Sequence, residues 1–209
     1  MRVYEIFRSI QGETTRAGLP MWFVRVAGCD MACLYCDTPA ARDPKAGRDM
    51  AVADVLDAIA APPLPWCMIT GGEPMLQVEE VNGLAAALAE RGVEVLIETS
   101  GGHPIERLES RARRIVDVKT PGSGMHDRMH WPNLERLRPT DEVKFVLTGR
   151  ADYEWAKEAA VRHGLLGRVP ALFSPAEPQL AARDLARWLV EDAFPARLNI
   201  QIHKILGLP

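Results

Sequence analysis

Three of the four cysteines in this 209-residue chain fall within eight residues, Cys29-Asp30-Met31-Ala32-Cys33-Leu34-Tyr35-Cys36. Thiolates spaced Cys-x3-Cys-x2-Cys can converge on a single metal centre, so the fold must present this stretch as a loop. Three thiolates alone do not close a tetrahedral zinc site, and no histidine lies nearby to complete one. A cubane 4Fe-4S cluster is usually held by four cysteines, one per iron. Three ligands would leave one iron open to a small molecule, and an open iron implies reactivity. Two plainer readings stay open at this point: chance clustering, and a structural zinc completed by Cys67.

The strand preceding this loop is Met21–Val26, rich in aromatic and β-branched residues. After it, helix and strand signals take turns, which favours a parallel sheet with crossover helices. The spacing predicts a helix from a cap at Asp49 to about Ala60, ended by Pro62-Pro63 and Pro65. Strands are expected at 66–70, 93–97, 114–118, 142–147 and 169–173, and a last short one at 199–202. Helices are expected over 78–91, 152–163 and 179–193, with Pro104 opening a short one. The stretch 120–131, rich in Gly, Pro, Met and His, reads as a loop. The fold class is therefore α/β: an incomplete TIM-like barrel of about six parallel strands with few crossover helices.

A chain of this length is most simply one domain. Its parts read as an N-terminal substrate-binding stretch 1–20, a core barrel 21–175 and a segment 176–209 closing the substrate site. A net charge of -3 implies no broad basic face, so neither nucleic acid nor an anionic membrane is expected as principal partner. There is no basic leader followed by an apolar stretch, and no apolar run approaches the ~20 residues of a membrane span. Clustered free cysteines then belong in a reducing compartment, and the cytoplasm is the expected location.

In parallel α/β barrels, working residues gather at the C-terminal ends of strands. The cysteine loop, Thr70-Gly71-Gly72-Glu73, Glu98-Thr99-Ser100, Asp117-Val118-Lys119 and Phe173-Ser174-Pro175 all fall there. Gly71 and Gly72 either form a plain turn or allow backbone to approach a ligand. Ser100 reads as a helix cap or a ligand contact, and Lys119 as a solvated charge or a ligand contact. Arg25 is out of phase with Trp22, Val24 and Val26, so its guanidinium can look into a barrel lumen and hold a carboxylate. Thr38 offers a hydroxyl to a hard cation such as Mg²⁺, or caps a helix. His126 and His130 lie in a loop that could cover the site. Cys67 reads as a buried strand residue.

The cysteine spacing resembles the signature of the radical S-adenosylmethionine (SAM) superfamily. Ser9-Ile10-Gln11-Gly12-Glu13, Cys36-Asp37-Thr38, Thr70-Gly71-Gly72-Glu73-Pro74, Glu98-Thr99-Ser100-Gly101 and His203-Lys204 together resemble the 7-carboxy-7-deazaguanine synthases of that superfamily. The resemblance implies a radical SAM core and a Mg²⁺-dependent ring contraction of 6-carboxy-5,6,7,8-tetrahydropterin to 7-carboxy-7-deazaguanine with loss of ammonia. It implies Cys29, Cys33 and Cys36 as cluster ligands and Thr38 as a Mg²⁺ ligand. SAM contacts fall to Gly72, Glu73, Ser100, Asp117, Val118, Lys119, Leu172, Phe173 and Ser174. Substrate contacts fall to Gln11, Gly12, Glu13, Arg25, Thr70, His203 and Pro209, the last through its terminal carboxylate. It implies a place in queuosine and tRNA-modification chemistry, a flavodoxin or ferredoxin as electron donor, and a homodimer. The rivals are a glycyl-radical-enzyme activase of the same superfamily and a non-enzymatic metal-binding module.

Overall fold

The computed structural model describes residues 1–209. Nine strands form one sheet in the order β3-β1-β2-β4-β5-β6-β7-β8-β9. The central run is β2 (Pro20–Val26), β4 (Trp66–Gly71), β5 (Glu94–Thr99), β6 (Arg113–Val118), β7 (Glu142–Leu147) and β8 (Ala171–Pro175). These six strands are parallel, as the alternation of signals predicts, and the two-residue β9 (Arg197–Leu198) adds to β8 in the same sense. The sheet curls without closing, which makes a partial barrel. Helices α1 (Val52–Ala58), α2 (Val78–Glu90), α3 (Arg150–Arg162) and α4 (Ala182–Glu191) accompany the sheet. No helix is long and apolar enough to cross a membrane.

Strand periodicity sorts side chains into two cores. Val24, Ile69, Ile97, Val116, Phe145 and Phe173 belong to the larger one, together with Val81 and Leu84 of α2, Tyr153 and Ala156 of α3, and Leu185 and Leu189 of α4. The smaller core, of Met21, Phe23, Met68, Leu96 and Ile115, fills the floor of the lumen. Two residues further along their strands, Phe23, Met68, Leu96 and Ile115 are succeeded by Arg25, Thr70, Glu98 and Asp117. An apolar floor therefore carries a polar layer directly above it.

Within the stretch 1–20, to which the sequence reading assigns no strand, Arg2–Ile10 form β1, antiparallel to β2, with Phe7 stacked on Phe23 at 5.0 Å. Two expectations are corrected. Asp49 does not cap α1 but lies in β3 (Arg48–Asp49), paired with β1; the Ala51 N–H is instead bonded by Asp54. Residues 199–202 are not a strand. The Asn199 N–H still bonds the Phe173 carbonyl of β8 at 2.9 Å, and its side chain is a bridge: its amide donates to Ser174 Oγ at 2.8 Å and its Oδ1 accepts from the Thr14 N–H at 2.9 Å. The chain then forms helix α5 (Ile202–Leu206), which carries His203 and Lys204.

That bridge helps close the barrel. Segment 11–15 and the C-terminal residues span the gap between β2 and β8. The Ile202 N–H bonds the Gly12 carbonyl at 3.1 Å, and Thr15 donates to Glu142 at the base of β7.

Candidate active site

Cys29, Cys33 and Cys36 are free, half-buried thiols lining one cavity of ≈ 230 Å³ at the C-terminal mouth of the strands. Their loop is fixed from several sides. Gly28 and Cys29 donate backbone N–H bonds to the carbonyls of Ala41 and Arg42, and Leu34 donates to Ser123. Asp30 is held by His103 at 3.1 Å and Arg128 at 3.6 Å. Below the loop, the Gly72 N–H bonds the Val26 carbonyl and the Glu73 N–H bonds the Gly28 carbonyl. A Cβ at Gly72 would lie 2.0 Å from Gly28 O, so besides lining the cavity this glycine makes a close backbone approach. It is where the cysteine loop rests on β4.

The three thiols do not close on a point: no group of three His, Cys, Asp or Glu side chains is assembled to hold a single ion. Zinc needs its ligands within ~2.3 Å of one centre, whereas a cubane presents a separate iron to each thiolate and spreads them. Burial pushes the Cys29 and Cys33 thiols up, so their thiolate forms need a positive partner inside the cavity. Five buried side-chain polar atoms lack a hydrogen-bond partner. Four of them belong to residues lining this cavity: Tyr35, Arg42, Ser100, and Asp117, whose Oδ1 has only the ion-pair approach of Lys144 at 3.3 Å. Orphaned polar atoms gathered on one cavity wall suit a polar ligand.

The lumen layer forms a single charged network. Lys144 Nζ lies 2.9 Å from Glu13 Oε2 and 3.3 Å from Asp117 Oδ1, and also donates to Glu98. Glu98 accepts from the Thr70 hydroxyl at 2.9 Å, and Asp117 pairs with Lys119 at 2.7 Å. Burial opposes the charge on both lysines, but the carboxylates outweigh it and hold each ammonium above its usual range. Burial pushes the Glu98 carboxyl up despite Lys144. For Asp117 the two lysines overcome burial and hold the carboxyl down.

At the rim, α5 clasps the cysteine loop. Lys204 Nζ bonds Asp37 Oδ2 at 2.9 Å, and the Gln201 amide donates to Glu13 Oε1 at 2.6 Å and to Asp37 at 3.2 Å. Burial works against ionised Asp37, yet these donors hold its carboxyl well below the carboxylate range. His203 packs on Gly12, where a Cβ would lie 1.7 Å from Nδ1, and burial holds its imidazole below the usual range. The Ser9 hydroxyl donates to the Pro209 carbonyl oxygen at 2.6 Å. Arg25 donates through Nε to Glu5 at 2.7 Å, and neither Nη has a partner in the protein.

Gln11, Gly12, Glu13, Arg25, Thr70, His203 and Pro209 all line the cavity, as do Gly72, Ser100, Asp117, Lys119, Ser174 and Thr38. Glu73, Val118, Leu172 and Phe173 are buried and do not. Glu73 lies beneath the site, its Oε1 accepting from the Met75 N–H and the Thr99 hydroxyl and its Oε2 from the Ser100 N–H at 2.7 Å. It orients the end of β5. Phe173 faces away from the lumen into an aromatic cluster with Phe145, Tyr153 and Phe194, ring centroids 5.2 to 6.0 Å apart. Phe173→Ala is therefore expected to destabilise the fold by ~3–5 kcal/mol while the SAM affinity of the folded protein stays near wild type. Denaturant unfolding and SAM titration check this; a tenfold loss of SAM affinity at unchanged stability would put the ring against the cofactor. His126 and His130 do not line the cavity; their loop instead buttresses the cysteine loop through Ser123 and Met125.

Sequence reasoning missed Lys144, Tyr35, Arg42 and Gln201 as site residues, and named Asp37 and Glu98 only within motifs. A lysine between Val143 and Phe145 in an otherwise apolar strand was a usable signal for Lys144.

The family model of the Radical SAM superfamily matches residues 23–159. The chain is 39% identical over 216 residues to the 7-carboxy-7-deazaguanine synthase of Chlorobaculum tepidum, covering 100% of this chain and 95% of that one. It is equally 39% identical to the synthase of Koribacter versatilis, over 100% of this chain and 98% of the other. The crystal structure of QueE from Escherichia coli has the same fold: TM-score 0.77, 23% identity, covering 96% of this chain and 93% of that one. Three cysteines on an α/β half-barrel, with near-complete alignment to these relatives, place the chain in the 7-carboxy-7-deazaguanine synthase family of radical SAM enzymes.

Proposed function

We propose that this protein contracts the ring of 6-carboxy-5,6,7,8-tetrahydropterin to give 7-carboxy-7-deazaguanine with loss of ammonia, supplying 7-deazapurines such as queuosine for tRNA. The observation that carries the reading is spatial. Seven residues singled out for the substrate, from stretches 11–13, 25, 70 and 203–209, line the same ≈ 230 Å³ cavity as the three cysteines. Residues 11–13 and α5 line the cavity beside the cysteine loop and bond one another there, which leaves less room for the polypeptide loop that a glycyl-radical activase would admit.

Cys29, Cys33 and Cys36 would hold the 4Fe-4S cluster. When bound, the cluster and SAM supply one-electron cleavage of the sulfonium to a 5′-deoxyadenosyl radical. Gly72 lets the cofactor lie against backbone, while Ser100, Asp117, Lys119 and Ser174 offer it polar contacts from three strand ends. Arg25, with both Nη groups free, clamps the pterin carboxylate; Glu13 accepts from the pterin's amidine-like N–H edge. Thr70, Gln11, Gly12, His203 and Pro209 complete the walls. Thr38 Oγ1 lies 3.2 Å from Asp37 Oδ1, a pair of hard oxygens suited to Mg²⁺ shared with substrate. A flavodoxin or ferredoxin in the cytoplasm would deliver the electron, and we extend the reading to a homodimer.

The test is anaerobic incubation of reconstituted enzyme with dithionite, SAM, Mg²⁺ and the carboxytetrahydropterin. A deazaguanine product of the expected mass is the predicted outcome; 5′-deoxyadenosine without that product would point to another radical substrate. Arg25→Lys is expected to raise the pterin KM by about tenfold, because a point charge cannot replace the planar fork on a carboxylate. Steady-state kinetics read it out, and an unchanged KM would remove Arg25 from the clamp.

A further inference from the structure

One buried ammonium stands between the two halves of the site. Lys144 sits mid-strand on the lumen face of β7, with its side chain only 7% exposed. Val143, Phe145 and Leu147 are fully buried in the larger core, so the strand cannot rotate to release the lysine without exposing them. Nζ reaches Glu13, Glu98 and Asp117 at once. A lone buried ammonium would be costly, and three converging carboxylates would repel one another; together they are mutually compensated.

The three acids do not depend on Lys144 equally. Asp117 has a second cation, Lys119, at 2.7 Å. Glu13 keeps the Gln201 amide at 2.6 Å. Glu98 has only the Thr70 hydroxyl besides. Removing the ammonium therefore disturbs Glu98 and Glu13 far more than Asp117. Glu13 meets Lys144 through Oε2 and Gln201 through Oε1, and each oxygen keeps a further lone pair for a ligand donor.

We propose that Lys144 is a positioning residue that fixes the carboxylates of Glu13 and Glu98 for the pterin and ties their placement to Asp117 on the SAM side. This rests on the pterin reading given above. Lys144 does not itself touch a reacting atom; it keeps two acids apart from one another and aimed at one ligand edge.

The experiment compares wild-type, Lys144→Met and Lys144→Arg holoenzymes, reconstituted anaerobically. Lys144→Met is expected to raise the pterin KM at least about tenfold, roughly 1.4 kcal/mol, with SAM affinity within about threefold of wild type. Lys144→Arg, keeping the charge, is expected to recover most of the pterin affinity. An unchanged pterin KM in folded Lys144→Met overturns the proposal. So does equal loss of pterin and SAM affinity, an arginine variant no better than the methionine one, or failure of both variants to fold, which would make the lysine purely structural. Wild-type enzyme that makes no deazaguanine overturns the functional reading and this proposal with it; wild-type turnover with an indifferent Lys144→Met overturns the lysine's role alone.

Discussion

Cys33→Ala enzyme, reconstituted anaerobically with iron and sulfide, is expected to form no detectable 5′-deoxyadenosine from SAM under dithionite. The rate loss should be at least about a thousandfold, some 4 kcal/mol or more in barrel-mouth chemistry that has no alternative route. Cys29 and Cys36 remain on the cavity wall, but two thiolates from one short loop leave two irons of a cubane without protein ligands. The fourth cysteine cannot substitute. Cys67 is on the outer face of β4, in phase with Ile69 in the larger core, whereas Met68 and Thr70 face the lumen. Burial pushes its thiol up to about 12, so it is not a thiolate at neutral pH. Cys67→Ala should accordingly keep full iron and sulfide content and full SAM cleavage. Loss of metal from Cys67→Ala as well as from Cys33→Ala, with zinc as the metal in the wild type, would restore the structural-zinc reading that the sequence left open. Metal analysis alongside the 5′-deoxyadenosine assay decides between them.

Much of this site could be read before any coordinates, and the reason is local. Strands β4 to β7 are short runs of β-branched and apolar residues, so their ends were legible, and the chemistry-bearing motifs stand at those ends. Glu142–Leu147 matches its expected span fully. What stayed hidden depends on partners distant in sequence. β1 is a strand because β2 lies beside it, and its mixed Arg2–Ile10 pattern carries little alternation of its own. Residues 199–202 have strand-forming composition, but Asn199 spends its side chain on Thr14 and Ser174, which no window of neighbours could foretell. The resemblance assigns Glu73 to SAM; its burial under Ser100 follows from the packing of β4 on β5. The resemblance assigns Leu172, Phe173 and Ser174 to the cofactor as one run, although adjacent residues of a strand face opposite ways. Only Ser174 reaches the cavity. Applying the two-residue period to every strand, rather than to β2 alone, would have separated Phe173 from Ser174 and found Lys144.

Gly72→Ala is expected to be among the most damaging single-methyl changes in the molecule. Its φ lies outside the left-handed region, so the cost is contact rather than backbone strain. An added Cβ would lie 2.0 Å from Gly28 O and 3.0 Å from Ala41 O, all backbone atoms that no rotamer change can move. The same carbonyl of Gly28 accepts from the Glu73 N–H at 2.8 Å, so the loop must lift off β4 and lose that bond to make room. Overpacking of this kind costs ~3 kcal/mol, and here the displaced backbone leads directly into Cys29. Gly72→Ala should therefore lower the unfolding midpoint and reduce iron incorporation together. Gly92→Ala is the control: its φ of +77° carries backbone strain of ~1–2 kcal/mol, but nothing lies within 4 Å of the new methyl. It should lose stability without losing iron. Equal iron content in the two variants, or a wild-type unfolding midpoint for Gly72→Ala, would show that the cysteine loop does not depend on its seat against β4.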